Sequence, residues 1–148
     1  VIYHNRSPLD AAIENECKAT YVDKETLLKT ADHLVLVLPY SATSHHSIGA
    51  QEIAQMKPTA TLVNIARGGI VDDAALAMAL KNKQIAAAGL DVFEGEPHLN
   101  PRFLALPNVL LQPHHASGTV ETRRAMGQMM RDNLTAHFAG QPLLTPVI

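Results

Sequence analysis

Short apolar runs recur along the chain and alternate with longer stretches in which apolar residues return every three or four positions. The runs are "VIYH" (1–4), "KATYV" (18–22), "LVLVLP" (34–39), "TLVNIA" (61–66), "AAAGLDVF" (86–93) and "NVLLQP" (108–113). Runs that stay apolar, rather than alternating with polar residues, predict parallel strands covered by helices on both faces. Between them, "DKETLLKTA", "GAQEIAQM", "DDAALAMALKNK" and "TVETRRAMGQMMRDNLTAHFAG" carry helical spacing. Asp23 and Asp72 open the first and third of these, a Ser-rich stretch precedes the second, and "SGT" opens the last, all side chains that accept from the orphan N–H groups of a first turn. Gly140, followed by Pro142, stops the last helix.

Repetition of strand, helix and strand implies right-handed crossovers and an α/β fold built on a doubly wound parallel sheet. With 148 residues, 47% hydrophobic and 18% charged, the chain fits one domain with a sizeable core. No repeat, linker or boundary stands out within residues 1–148. The net charge is −2, the sequence pI is near 6.5, and the 12 Lys and Arg residues are scattered. That leaves no electrostatic footprint for nucleic acid or an anionic membrane. The apolar runs are too short to cross a bilayer and no signal-peptide pattern opens the chain, so a cytoplasmic protein is expected. Cys17, the only cysteine, excludes an internal disulfide and reads as a small residue at a partly buried helix or strand end. Tyr40, Met56, Met129 and Met130 read as packing residues.

Chemistry enters at the strand exits. In open α/β sheets the carboxyl ends of parallel strands share one edge, where ligands collect. Three exits here carry charged or titratable residues: Arg67 in "NIARGGIVDD", Glu96 in "LDVFEGEP" and His114 in "LQPHHASG". Each alone is ordinary, as a surface arginine, a turn carboxylate and a loop histidine. Together they supply what hydride reduction of a 2-keto acid needs: a cation for the carboxylate and carbonyl, and a general acid for the new alkoxide.

A fourth exit, "YHNRSP", offers Asn5, Arg6 and Ser7 where a dinucleotide-binding sheet reads the ribose. An Asp or Glu there would grip a 2′-hydroxyl, whereas the Arg6 fork suits a 2′-phosphate, which favours NADP (NADPH) while leaving NAD possible. The G-x-G-x-x-G turn of such sheets does not occur in this sequence. Because the chain opens directly inside a strand, the first strand and that turn are expected upstream.

The three central segments, in order, resemble the signature blocks of the D-isomer-specific 2-hydroxyacid dehydrogenase family. "LVLVLPYSATSHHSIGAQEIAQMKPTATLVNIARGGIVDDAALAMALKNKQIAAAGLDVFEGEP" is similar to the long central signature and "NVLLQPHHASGTVETR" to the terminal block; "NRSP" resembles the glyoxylate and hydroxypyruvate reductase branch. The resemblance implies a Rossmann-like NAD(P)-binding domain over residues 1–148. In it Arg67 would bind the substrate carboxylate and keto oxygen, His114 would donate the proton, and Glu96 would favour the protonated ring. It further places Asp91 near the nicotinamide amide, Ile65 and Ala66 along that ring's pocket, Pro39 and Ser44 beside the adenosine half, and Ser117 among the cofactor-binding residues. Ser44 stands where the family often has threonine, and His115 where it usually has an apolar residue.

By the same resemblance a substrate domain is expected outside this chain, which alone would have little or no activity, and a homodimer is expected. Competing readings are a reductase of another 2-keto acid, such as 2-ketogluconate or a phenylpyruvate, and a non-catalytic dinucleotide sensor or corepressor. The His114–His115 pair imitates a metal site, but consecutive side chains tend to point apart and hydride transfer to a nicotinamide needs no metal; the second pair, His45–His46, reads as a polar loop, so no metal is expected.

Overall fold

A computed structural model describes residues 1–146. They fall into two compact units, Val1–His114 and the described residues from His115 onward, where the sequence marks no boundary. The first unit runs β1 (Ile2–Tyr3), α1 (Ala11–Cys17), β2 (Thr20–Tyr21), α2 (Lys24–Thr30), β3 (His33–Leu36), α3 (Ala50–Ile53), β4 (Thr61–Asn64), α4 (Asp73–Lys81), β5 (Ala87–Leu90), a 3-10 turn (Pro101–Ala105) and β6 (Val109–Leu111). The second holds α5 (Val120–Phe138).

All strand pairs are parallel, as the apolar runs predict: β1 with β2 in one sheet, and β3-β4-β5-β6 in another. In the larger sheet Leu36, Asn64, Leu90 and Leu111 lie in register as neighbours. The chain therefore leaves β3, β4, β5 and β6 at one level, and residues far apart in sequence meet beyond it.

The helix starts follow from the acidic caps. An Asp72 carboxylate oxygen accepts from the N–H groups of Ala74 and Ala75 at 2.9 and 3.0 Å, and Asp23 accepts from Thr26 at 2.7 Å. Thr119 caps α5 by accepting from Thr122 at 3.1 Å, and Gly140 follows that helix at φ 67°. The second helix is shorter than its pattern, because α3 gives way to turns after Ile53. Two elements escaped the apolar pattern: α1, which buries no residue, and the 3-10 turn, whose start is held by Asn100 accepting from Arg102 at 3.1 Å.

Among the described residues the two sheet faces differ in burial. Burial alternates along β3 to β5: Leu34, Leu36, Leu62, Asn64, Ala88 and Leu90 are buried, while Val35 is exposed. Leu62 joins Ile53, Leu76, Leu80, Ile85 and Phe103 in one apolar cluster, so helices α3 and α4 cover one face and the other is only partly covered among the described residues. Cys17 is exposed rather than partly buried. Met56 packs in the core as expected, whereas Tyr40, Met129 and Met130 are exposed. No described helix is long and apolar enough to cross a membrane.

Candidate active site

Beyond the aligned strand ends lies a cleft of about 940 Å³. Its apolar wall comes from Val37–Pro39 after β3, Ile65 and Ala66 after β4, and Phe93 after β5; its polar wall from Arg67, Glu94, Glu96 and His114. All belong to the first unit. An apolar wall facing a few convergent polar groups is the usual make-up of a small-molecule site.

The Arg67 loop is set by its neighbours. Asn64, at the end of β4, is buried at 2% exposure. Its Oδ1 accepts from the Ala66 N–H at 3.1 Å and its Nδ2 donates to the Arg67 carbonyl at 3.2 Å, so one amide clamps the turn from both sides. The Asn64 carbonyl also accepts from the Asp91 N–H at 3.0 Å, tying the β4 and β5 exits together. Arg67 itself is exposed, with Nη1 donating to the Ala66 carbonyl at 2.6 Å.

Two glycines beside the arginine have separate reasons. A Cβ on Gly68 would lie 1.8 Å from the Phe93 carbonyl oxygen, so the two exit loops touch backbone to backbone only because that position has no side chain. Gly69 sits at φ +78°, a left-handed conformation that L side chains rarely adopt.

Glu96 and His114 meet directly. Nδ1 of His114 lies 2.7 Å from Glu96 Oε2, while Glu96 Oε1 accepts from the Phe93 N–H at 2.8 Å. Burial pushes the Glu96 carboxyl up, but the His114 hydrogen bond, the Phe93 N–H and the His114 charge together leave it below its ordinary value, against a small opposing push from Asp91. The carboxylate is thus ionised near neutral pH and oriented on both oxygens. His114 adopts φ 52°, an uncommon conformation for a non-glycine residue and one that recurs where structure is held for function. With Nδ1 held by a carboxylate, Nε2 is the ring nitrogen left to exchange a proton.

The remaining sequence candidates are placed unevenly. Pro39, Ile65 and Ala66 line the cleft with the three charged residues. Asp91 is buried beside them at the β5 exit but does not line the cleft. Ser44 is buried at 7% exposure, its hydroxyl donating to the Pro39 carbonyl at 3.1 Å across the 39–44 turn. Asn5, Arg6 and Ser7 are exposed after β1, outside the cleft, and the Asn5 side chain accepts from the Arg6 N–H at 2.9 Å. Ser117 lies in a turn of the second unit.

Sequence reading did not single out Asn64, Tyr40 as a cleft residue, Glu94 or Asp73. Asp73, the first residue of α4, accepts from the Glu94 N–H at 3.0 Å and holds that loop against the helix. Burial pushes its carboxyl up to about 6; the charges of Glu94 and Asp72 add to the rise, while the Glu94 N–H and His46 oppose it. The folded value exceeds the unfolded one near 3.8. The resulting stability is therefore fully present below the unfolded value and is lost as pH rises through the folded one. Asp73→Asn keeps an acceptor for the Glu94 N–H and removes the desolvated charge. It should melt a few degrees above the wild type at pH 8 and flatten the decline between pH 4 and 6. Thermal melts with parallel pH dependence in both proteins would refute this.

Comparison with known proteins bears on the family. A family model described as the D-isomer specific 2-hydroxyacid dehydrogenase NAD binding domain matches residues 1–116. The chain is 46% identical over 142 residues to glyoxylate/hydroxypyruvate reductase B of Enterobacter agglomerans, covering 95% of this chain and 44% of that protein. It is 48% identical over 126 residues to 2-ketogluconate reductase of Gluconobacter oxydans, covering 85% and 41%. Among solved structures, NADPH-dependent glyoxylate/hydroxypyruvate reductase of Sinorhizobium meliloti, in complex with NADP and malonate, superposes with a TM-score of 0.90 at 39% identity, covering 99% of this chain and 44% of that one. The chain thus spans less than half the length of the relatives it matches.

Proposed function

Because this chain belongs to the D-isomer-specific 2-hydroxyacid dehydrogenases, as a Rossmann-like domain of the type that binds NAD, we propose that it serves an NADPH-dependent reductase of glyoxylate or hydroxypyruvate. The single observation that carries the reading is the Glu96–His114 pair, at 2.7 Å, in the same cleft as Arg67. Homology to the Enterobacter agglomerans and Sinorhizobium meliloti reductases supports the substrate class. The substrate-binding half, a cytoplasmic location and a homodimer belong to the same proposal.

Residues present fit a nicotinamide dinucleotide. Ile65, Ala66 and Pro39 offer the apolar wall a flat ring needs, Asp91 sits buried at the adjoining exit, and Arg6 after β1 offers a cation for a 2′-phosphate. When bound, the reduced nicotinamide supplies the hydride. Arg67 holds the substrate carboxylate and draws electron density toward the keto oxygen. As the carbon–oxygen π bond breaks and hydride adds to carbon, His114 gives its Nε2 proton to the oxygen, leaving a hydroxyl and a neutral ring that solvent reprotonates. The ionised Glu96 carboxylate faces Nδ1 of His114 and orients the ring throughout. In the oxidative direction the neutral ring takes the proton back.

The test is oxidation of NADPH and NADH by the full-length protein with glyoxylate and hydroxypyruvate. NADPH-preferring turnover is expected; turnover with 2-ketogluconate alone would favour the second reading, which the Gluconobacter oxydans relative supports. Absence of turnover with every keto acid, with cofactor still bound, would favour a sensor, for which the retained proton donor has no use. Arg6→Asp should lower the NADPH-to-NADH ratio of kcat/KM by roughly 10- to 100-fold, the worth of a charge-assisted phosphate contact. An unchanged ratio would remove Arg6 from the cofactor site.

A further inference from the structure

His45 and His46 read as a polar loop in the sequence. The structure adds to them a carboxylate from 48 positions downstream: His46 Nε2 lies 2.9 Å from Glu94 Oε2. One ligand atom each from His45, His46 and Glu94 fall within 4.8 Å of one another. From this geometry we propose a binding site for a divalent transition metal of the Zn²⁺ class, formed by His45 and Glu94 on the cleft wall together with the adjoining His46.

The donor set is two imidazoles and a carboxylate, which suits Zn²⁺ and its neighbours better than Mg²⁺ or Ca²⁺. Tetrahedral Zn²⁺ with bonds of about 2.0–2.2 Å places its ligand atoms roughly 3.4 Å apart. The His46–Glu94 contact needs to open slightly and His45 to close in, movements within reach of side-chain rotation.

Both ends of the long-range contact are pinned by backbone. The His46 N–H donates to the Gly69 carbonyl at 2.7 Å, and the Glu94 N–H donates to Asp73 at 3.0 Å. The His45 and His46 rings stack with centroids 3.9 Å apart at 21°, so consecutive side chains here point the same way instead of apart. That arrangement lets both rings face one ion. The Tyr40 hydroxyl, 3.1 Å from Nδ1 of His45, steadies that ring. An outer hydrogen bond of this kind orients ligand histidines in metal sites. Ligands already held near their bound positions lose little freedom on binding.

Zn²⁺ itself is the probe. ZnCl₂ titrated into metal-stripped, cofactor-free protein, against a chromophoric chelator at pH 7.5, should show one ion per chain with micromolar affinity. His46→Ala and Glu94→Gln should each weaken binding at least about 10-fold, the cost of removing one ligand, while the melting profile of Glu94→Gln stays native-like. His114→Gln separates this site from the neighbouring His114–Glu96 pair and should bind Zn²⁺ as the wild type does. No saturable binding below millimolar Zn²⁺, binding unaffected by Glu94→Gln, or binding lost in His114→Gln alone would each overturn the proposal. Because the readout needs no turnover, its failure leaves the reductase reading untouched.

Discussion

Gly68→Ala should lower the melting temperature by more than about 10 °C and empty the cleft of its geometry. The added methyl would stand 1.8 Å from the Phe93 carbonyl oxygen, 2.3 Å from its carbon and 2.9 Å from the Glu94 nitrogen. All three are backbone atoms, so no rotamer change relieves the clash. One exit loop must move by more than an ångström, and the loops that would move carry Arg67 on one side and Glu94 and Glu96 on the other. Overpacking in a well-packed interior costs about 1–3 kcal/mol, and a rigid backbone contact lies at or beyond the top of that range. Each kcal/mol is worth roughly 2–8 °C for domains of this order of size. Gly69→Ala is the control. Its new methyl meets the Tyr40 ring at 3.1 Å and a His45 ring atom at 3.4 Å, side chains that can give way, although φ +78° still costs about 1–2 kcal/mol. Thermal melts should rank wild type above Gly69→Ala, and Gly69→Ala well above Gly68→Ala. Equal melting of the two variants would mean that the loops do not touch through Gly68.

The same contact marks how far a linear reading reaches. Arg67, Glu96 and His114 were visible because parallel strands in register release their chains at one level, and the strands were visible as apolar runs. Asn64 was not. An asparagine ending an apolar run carries no mark that its amide will bridge the Ala66 N–H and the Arg67 carbonyl, because that depends on the turn the next residues take.

Apolarity of "LVLVLP" shows that a strand is present but not which of its side chains are covered: among the described residues Val35 is half exposed between buried Leu34 and Leu36. The buried Ser44 hydroxyl, which donates to the Pro39 carbonyl, is another contact that only the folded turn defines. Pairing of His46 with Glu94 lies further still from view, since it joins two loops whose approach is set by tertiary packing. Residue type and strand register are local and legible; loop-to-loop contacts are not.

His114→Gln should reduce kcat by roughly 10²- to 10⁴-fold, the usual worth of a positioned general acid, while the dissociation constant for NADPH changes by no more than a few-fold. Glutamine keeps a polar side chain of similar reach and can still face Glu96, so the φ 52° turn and the cleft wall are retained. What it lacks is a proton it can release near neutral pH. Comparable losses in turnover and cofactor affinity would instead make His114 a packing residue. Glu96→Gln tests the partner separately. The Glu96 carboxyl lies below its ordinary value, so it is charged across the whole neutral range and remains an acceptor for the imidazole Nδ1. Without the charge the ring is held less firmly, so kcat should fall by less than in His114→Gln while the dissociation constant for NADPH stays within a few-fold. A loss of cofactor affinity as large as the loss of kcat would show Glu96 acting through the Phe93 N–H it also holds, at 2.8 Å, and not through the imidazole. The two variants therefore divide the pair into proton donor and orienting partner, and each role can fail alone.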